Sequence, residues 1–312
     1  LAYSNYQSSA KRRSTVPLLP PNYLDCVVAI GVGRDTERRK WIGTGFLYGL
    51  PSGETDKDGS TLYTVFLISN KHVFEGKREI WIKLNSAEGS RSKDYRAKMV
   101  AKNGRKLWVG HPDADVDVAA LWLNAGFLRL EKRKFSFFID ESQVLTAEKL
   151  AETTIAEGDG VFLLGFPMGM VDKVRQYAIC RAGHIAKISH VRDGYGKEIL
   201  IDGLVFPGNS GGPVVTKPEV VSVGKMKPYQ KASLLGIVSS YVPYQEIARS
   251  EQTGRARMIF EENSGLTSVV PSEMVRETVL LAKKRIQNRI AQHKFQAKKK
   301  KAQDEQVDAE HG

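Results

Sequence analysis

Pro207-Gly208-Asn209-Ser210-Gly211-Gly212-Pro213, running into the apolar pair Val214-Val215, is the stretch around which the rest of the chain is organised. Glycines on both sides of a serine let the backbone make a tight turn that presents the hydroxyl. They also let the amides of Gly208 and Ser210 converge on one point. Acyl transfer requires such a pair, because negative charge grows on the carbonyl oxygen and each well-placed donor lowers the barrier by roughly 3 to 4 kcal/mol. An ordinary Gly-rich hairpin between two strands has the same composition, so the serine must be read together with its partners.

A serine nucleophile needs a base, and six histidines are available. His72 closes the apolar run Phe66-Leu67-Ile68-Ser69-Asn70-Lys71-His72, where a strand would deliver it to a barrel edge. His111, His184, His190, His293 and His311 lie in a Pro turn, in polar strand edges or in the C-terminal tail. The base needs a carboxylate that fixes its tautomer and stabilises the imidazolium. Asp113-Ala114-Asp115-Val116-Asp117-Val118-Ala119-Ala120-Leu121 offers three, of which Asp117 opens the apolar strand while Asp113 and Asp115 belong to a solvated loop. A calcium loop would need a Gly and a bidentate Glu at offsets this segment lacks. The chain order His72, Asp117, Ser210 is that of chymotrypsin-type barrels; an esterase on an α/β-hydrolase fold would carry its serine first and helices between its strands.

The surrounding texture agrees. Short runs rich in Val, Ile, Leu and Phe recur at 25–32, 41–49, 61–69, 78–84, 95–102, 116–123, 161–166, 175–190, 198–202, 213–216, 232–241 and 257–260, separated by Gly, Asp, Asn and Pro. This predicts a mainly β protein, built as antiparallel barrels or a sandwich, without the regular helical inserts of a parallel sheet. After Pro271, Val275, Val279, Ala282, Ile286 and Ile290 repeat at helical spacing; beyond Ile290 the pattern fades, which predicts fraying. Of the net charge of +12, +9 lies in residues 283–301 and −4 in the last eleven residues, leaving +7 over 1–282. That Lys-rich run suits an anionic partner, nucleic acid included, or a solvated helix end; Phe295 is its only aromatic residue. No apolar run reaches the roughly 18 to 20 residues that a membrane-spanning helix needs. Cys26 and Cys180 each sit in a strand-like segment and are expected to be buried free thiols. No secretory signal is visible at the polar, basic N-terminus, so a cytoplasmic location is expected.

Together these residues resemble the HtrA (DegP-like) branch of the trypsin-like serine proteases. The likeness runs through Gly43-Thr44-Gly45-Phe46, Ser69-Asn70-Lys71-His72-Val73, Asp117-Val118-Ala119-Ala120-Leu121, Gly158-Asp159-Gly160, Gly165-Phe166-Pro167-Met168-Gly169, Gly208-Asn209-Ser210-Gly211-Gly212-Pro213, Gly236-Ile237-Val238 and Pro271-Ser272. It implies two packed six-stranded antiparallel β-barrels with the site between them and a closing C-terminal helix. It also implies Ser210 as nucleophile, His72 as general base and acid, Asp117 as orienting carboxylate, the amides of Gly208 and Ser210 as oxyanion hole, and Asp202 as a supporting acid.

The expected organisation is an extended basic arm over residues 1–22, a protease domain over 23–283, and a basic helical extension and tail over 284–312. Within the domain, barrel one covers about 23–125, barrel two about 155–270 and the closing helix 272–283. About thirty residues after Ala282 are too few for the PDZ domain that many members of the branch carry. The expected activity is that of a serine endopeptidase on protein or peptide substrates, with no cofactor and no metal. Leu204, six residues before the nucleophile, places no acid at the pocket floor, and Ser239 and Tyr241 would line the wall. Cleavage after small or medium apolar residues is therefore expected. The alternative is a catalytically latent protease fold that works as a binding module through its cleft or its basic tail. The residues set no oligomeric state.

Overall fold

The computed structural model describes residues 17–35, 38–89, 91–219 and 229–310. Residues 1–16 of the expected arm lie outside the described residues; Pro21–Leu24 form a single helical turn, α1, which carries Tyr23 into the core. The N-terminal lobe contains β1 (Val27–Val32), β2 (Lys40–Thr55), β3 (Thr61–Ser69), β4 (Glu79–Ser86), β5 (Lys93–Lys98), β6 (Val109–Gly110) and β7 (Ala119–Leu123). They pair in the order β5-β4-β1-β2-β3-β7-β6, and the two-residue strands β8 (Arg133–Lys134) and β9 (Phe138–Ile139) add to β4 and β2. The single turn α2 (Lys71–Phe74) follows β3, α3 (Ala125–Leu130) follows β7, and α4 (Asp140–Gln143) and α5 (Ala147–Ala151) lead to the second lobe.

Strands β1 to β3 are apolar on both faces because both are covered. Val28, Ile30, Leu47, Val65 and Leu67 join Ile80 and Ile82 in the lobe's own core. Val27, Ala29, Phe46, Tyr48, Phe66 and Ile68 pack with Phe166, Ile237 and Val275 of the other lobe and the final helix. The lobe departs from the closed six-stranded barrel expected of it. With β6 only two residues long, its junction with β5 is reduced to an isolated bridge, Val100 to Lys106, flanked by 2.9 Å bonds from Leu107 N–H to Met99 O and from Ala101 N–H to Arg105 O. The sheet curls into a half-barrel and stops.

The C-terminal lobe does close. Strands β10 (Gly160–Gly165), β11 (Ile179–Lys187), β12 (Ile199–Asp202), β13 (Pro213–Thr216), β14 (Leu234–Arg249) and β15 (Ala256–Pro271) form a barrel in the order β10-β11-β12-β15-β14-β13, with the turn α6 (Ser189–Arg192) between β11 and β12. Its interior holds Val161, Leu163, Ile185, Ile199, Ile201, Val214, Leu235 and Val269. The strand expected at 257–260 is present as the outer end of β15, in an exposed ribbon that continues β14 and β15 beyond the barrel, and closure against β12 is made further along by Leu266–Val269. One expectation changes here. Cys180 is exposed, because alternation on β11 turns Gly183 and Ile185 inward and Cys180 outward; Cys26 is buried as expected.

The final helix, α7, spans Ser272–Glu310. Ser272 Oγ donates to Leu145 O, Glu273 accepts the Ala147 N–H at 2.8 Å, and Arg276 Nε donates to both oxygens of Asp140 at 3.1 and 3.2 Å. Tyr48 of β2 also donates to Asp140, so the helix is tied to both lobes, and Val275, Val279 and Ala282 are buried beneath it. It continues as helix past Ile290 to Glu310. No Gly or Pro occurs between Ser272 and Glu310, and the segment is rich in Ala, Lys, Gln, Arg and Glu, which favour helix without needing a buried face.

Candidate active site

Strand β3 ends at Ser69, whose hydroxyl donates to Thr44 O at 2.8 Å. Asn70 follows with extended backbone, and its amide donates to Asp117 O at 2.6 Å instead of capping the next turn. In that turn Val73 and Phe74 are buried, which leaves His72 facing out with 54% of its side chain exposed. Strands β3 and β7 pair, with Ser69 opposite Ala119, and the segment entering β7 brings Asp117 beside the histidine. His72 Nδ1 lies 2.5 Å from Asp117 Oδ2, and the His72 backbone N–H donates to Oδ1 at 3.2 Å. A carboxylate on Nδ1 places the proton there and leaves Nε2 as the basic atom. Burial raises the Asp117 pKa, but hydrogen bonds from the His72 ring and from the backbone N–H groups of His72 and Lys71 outweigh it, and the carboxyl is held below its ordinary value. Asp113 and Asp115 do not join this pair. Asp113 binds Lys197 and accepts the Asp115 N–H at 3.0 Å, while its carbonyl takes Lys71 Nζ at 2.7 Å.

The serine comes from the other lobe. The Phe206–Gly212 loop is fastened at nearly every peptide. Asn209 N–H donates to Phe206 O, Gly212 N–H to Asn209 O, Gly211 N–H to Val238 O, and Thr44 N–H to Ser210 O, at 2.8 to 2.9 Å. Thr44 Oγ1, fully buried on β2, donates to Gly208 O at 2.6 Å and accepts Phe166 N–H at 3.0 Å. Pro207 O accepts Met168 N–H at 2.6 Å. Because a trans peptide sets its C=O and N–H on opposite sides, that bond turns the Gly208 N–H away from Met168. Gly208 has φ +100° and a Cβ there would meet Phe166 O at 2.4 Å; Gly211 has φ +87° and a Cβ would meet Thr44 O at 2.1 Å. Both positions therefore admit glycine only. Among the described residues, the amides of Gly208 and Ser210 donate to no backbone carbonyl, and no hydrogen bond joins Ser210 Oγ to His72.

The expected pocket residues lie in the same lobe but are less tightly built in. Leu204 is 43% exposed. Ser239 is half-buried, next to the Val238 carbonyl that holds Gly211. Tyr241 bonds Glu261 through its hydroxyl at 2.6 Å. Asp202 is exposed at the end of β12, opposite His184 and Leu266, and its carboxylate accepts no hydrogen bond among the described residues. In the sequence Thr44 and Met168 stand only as parts of motifs, with no signal of a role of their own. Their partners, Gly208 and Phe166 for Thr44 and Pro207 for Met168, belong to segments that only the fold brings together.

A double-lobed β fold with a histidine–carboxylate pair on one lobe and a Gly-flanked serine on the other defines the class of trypsin-like serine hydrolases. The family model of the trypsin-like peptidase domain matches residues 43–224, more than half of the chain, and the chain belongs to that family. Among solved structures it is similar to the protease domain of MamO from Magnetospirillum magneticum in its apo form, at 15% identity over 82% of this chain and 97% of that one, with a TM-score of 0.45. No curated protein matches the chain.

Proposed function

We propose that this chain is a serine endopeptidase of the HtrA-like branch, that its protease unit spans about residues 23–283, and that it cleaves after small or medium apolar residues. One observation carries most weight: the Asp117 carboxylate lies 2.5 Å from His72 Nδ1, in a family whose chemistry needs that pair. Ser210 Oγ attacks the scissile carbonyl as His72 Nε2 takes its proton. The oxyanion of the tetrahedral intermediate settles on the N–H groups of Gly208 and Ser210, where two donors aimed at the developing charge act in a site partly shielded from water. The imidazolium, stabilised by Asp117, then gives the proton to the leaving amine, and the acyl group stays on Ser210. Water, deprotonated by the same nitrogen, releases the acid and restores the enzyme.

The apolar preference rests on Leu204, which puts no carboxylate six residues before the nucleophile to meet a basic side chain. Digestion of casein with mass-spectrometric reading of the new termini tests both parts. The expected result is cleavage after Ala, Val, Leu or Met, lost in Ser210→Ala and His72→Ala. Cleavage mainly after Lys or Arg would overturn the specificity. A folded wild type that leaves casein and apolar peptide libraries intact would favour the latent binding module.

A further inference from the structure

Where the N-terminal sheet fails to close, a cavity of about 560 Å³ enters the half-barrel. Its inner wall is Ile82 and Leu121 of the lobe's own core, and its outer wall is Trp122, Phe127 and, from α7, Ile290, all three about half exposed. That volume is ample for a small-molecule site, and the mouth of an incompletely closed barrel is a usual place for one. It shares no residue with the Ser210 cleft.

The rim is cationic. Arg96, Lys98 and Arg289 border the cavity. The Nε atoms of Arg289 and of Arg105 are both buried with no hydrogen-bond partner. Burial, together with the charges of Arg105 and Arg285, depresses the Arg289 pKa, the signature of crowded cations without an anion among them. The bordering acids are already engaged: Glu79 faces Arg96 at 3.6 Å, and Glu131 holds Lys93 at 2.6 Å and Tyr95 at 3.2 Å. An apolar interior behind the Arg289 guanidinium, which has no acidic partner among the described residues, fits a long acyl chain with an anionic head. It would repel this chain's own N-terminal Lys11-Arg12-Arg13 segment.

We propose that this cavity binds one monomeric long-chain carboxylate, its chain against Ile82, Leu121 and Trp122 and its head group on Arg289. Palmitate titrated into the full chain below its aggregation threshold, followed by tryptophan emission and calorimetry, is the test. The expected result is saturation at one ligand per chain with a blue shift that Trp122→Phe removes. Arg289→Gln should weaken binding by roughly tenfold or more, the size of a charge-assisted hydrogen bond, with an unchanged melting temperature because this side chain is only half-buried. Ala97→Phe, which fills the cavity, should abolish it. Hexadecanol should bind at least roughly tenfold more weakly than palmitate. The proposal is overturned if wild type shows no saturable binding, if hexadecanol and palmitate bind alike, or if only anionic phospholipid vesicles give a signal that scales with lipid area.

Discussion

Thr44 has no part in the chemistry, yet its hydroxyl fastens two segments that frame the serine: it donates to Gly208 O and accepts from Phe166 N–H. Valine matches its shape and lacks both bonds. Thr44→Val would leave a buried carbonyl and a buried amide unpaired, at about 1–3 kcal/mol each, and would free the peptide that sets the Gly208 N–H. We expect chemical denaturation to register that loss, kcat to fall roughly tenfold or more with KM changing less, and Thr44→Ser to restore most of both. Unchanged kcat in a destabilised Thr44→Val would contradict a positioning role. This residue was not readable in the sequence, because its two partners lie 164 and 122 positions away. His72, Asp117 and Ser210 were readable for the opposite reason. Each is marked locally, by the end of an apolar strand, the start of one, or flanking glycines at positions where a Cβ would collide with backbone.

Strands and turns show the same division. Glu157, just before β10, reaches across to the end of β11, where its Oε1 accepts the N–H groups of Ile188 and Ser189 at 2.8 Å and its Oε2 the Ser189 hydroxyl at 2.9 Å. These bonds pull its pKa from 4.5 down to about 2. A carboxyl that titrates lower in the folded than in the unfolded chain stabilises the fold fully above about 4.5, and that contribution is lost as pH falls toward 2. The melting-temperature gap between wild type and Glu157→Gln should therefore be open at pH 6 and should close on acidification toward pH 2. A gap independent of pH would sink this account. Strand positions followed from apolar runs over most of the core. In β15 the marked run, 257–260, is the exposed outer end of the strand, while the half that closes the barrel, Leu266–Val269, carries no apolar run because Thr267 and Ser268 interrupt it. Closure of the first sheet was equally hidden, because it depends on how much of the segment after β5 pairs back onto it, and β6 is only two residues long.

At the scale of the molecule, the candidate site exists only because two lobes meet. His72 and Asp117 come from the half-barrel, Ser210 and the amide of Gly208 from the closed barrel, and β2 threads between them through Thr44. Helix α7 is joined to β2 and α4 through the Arg276–Asp140–Tyr48 cluster. The order His72, Asp117, Ser210 made this two-lobed arrangement legible from the sequence; the placement of Leu204, Ser239 and Tyr241 around a substrate side chain was not, because loop and hairpin geometry set it. The central proposal is that Ser210 is the nucleophile, with His72 as its base and the amides of Gly208 and Ser210 as the oxyanion donors. Intact-mass analysis after treatment with a fluorophosphonate tests it most directly. The account predicts one adduct per chain, mapped to Ser210, absent in Ser210→Ala and strongly slowed in His72→Ala. A folded wild type that takes up no label, or takes it up at another residue, would contradict it.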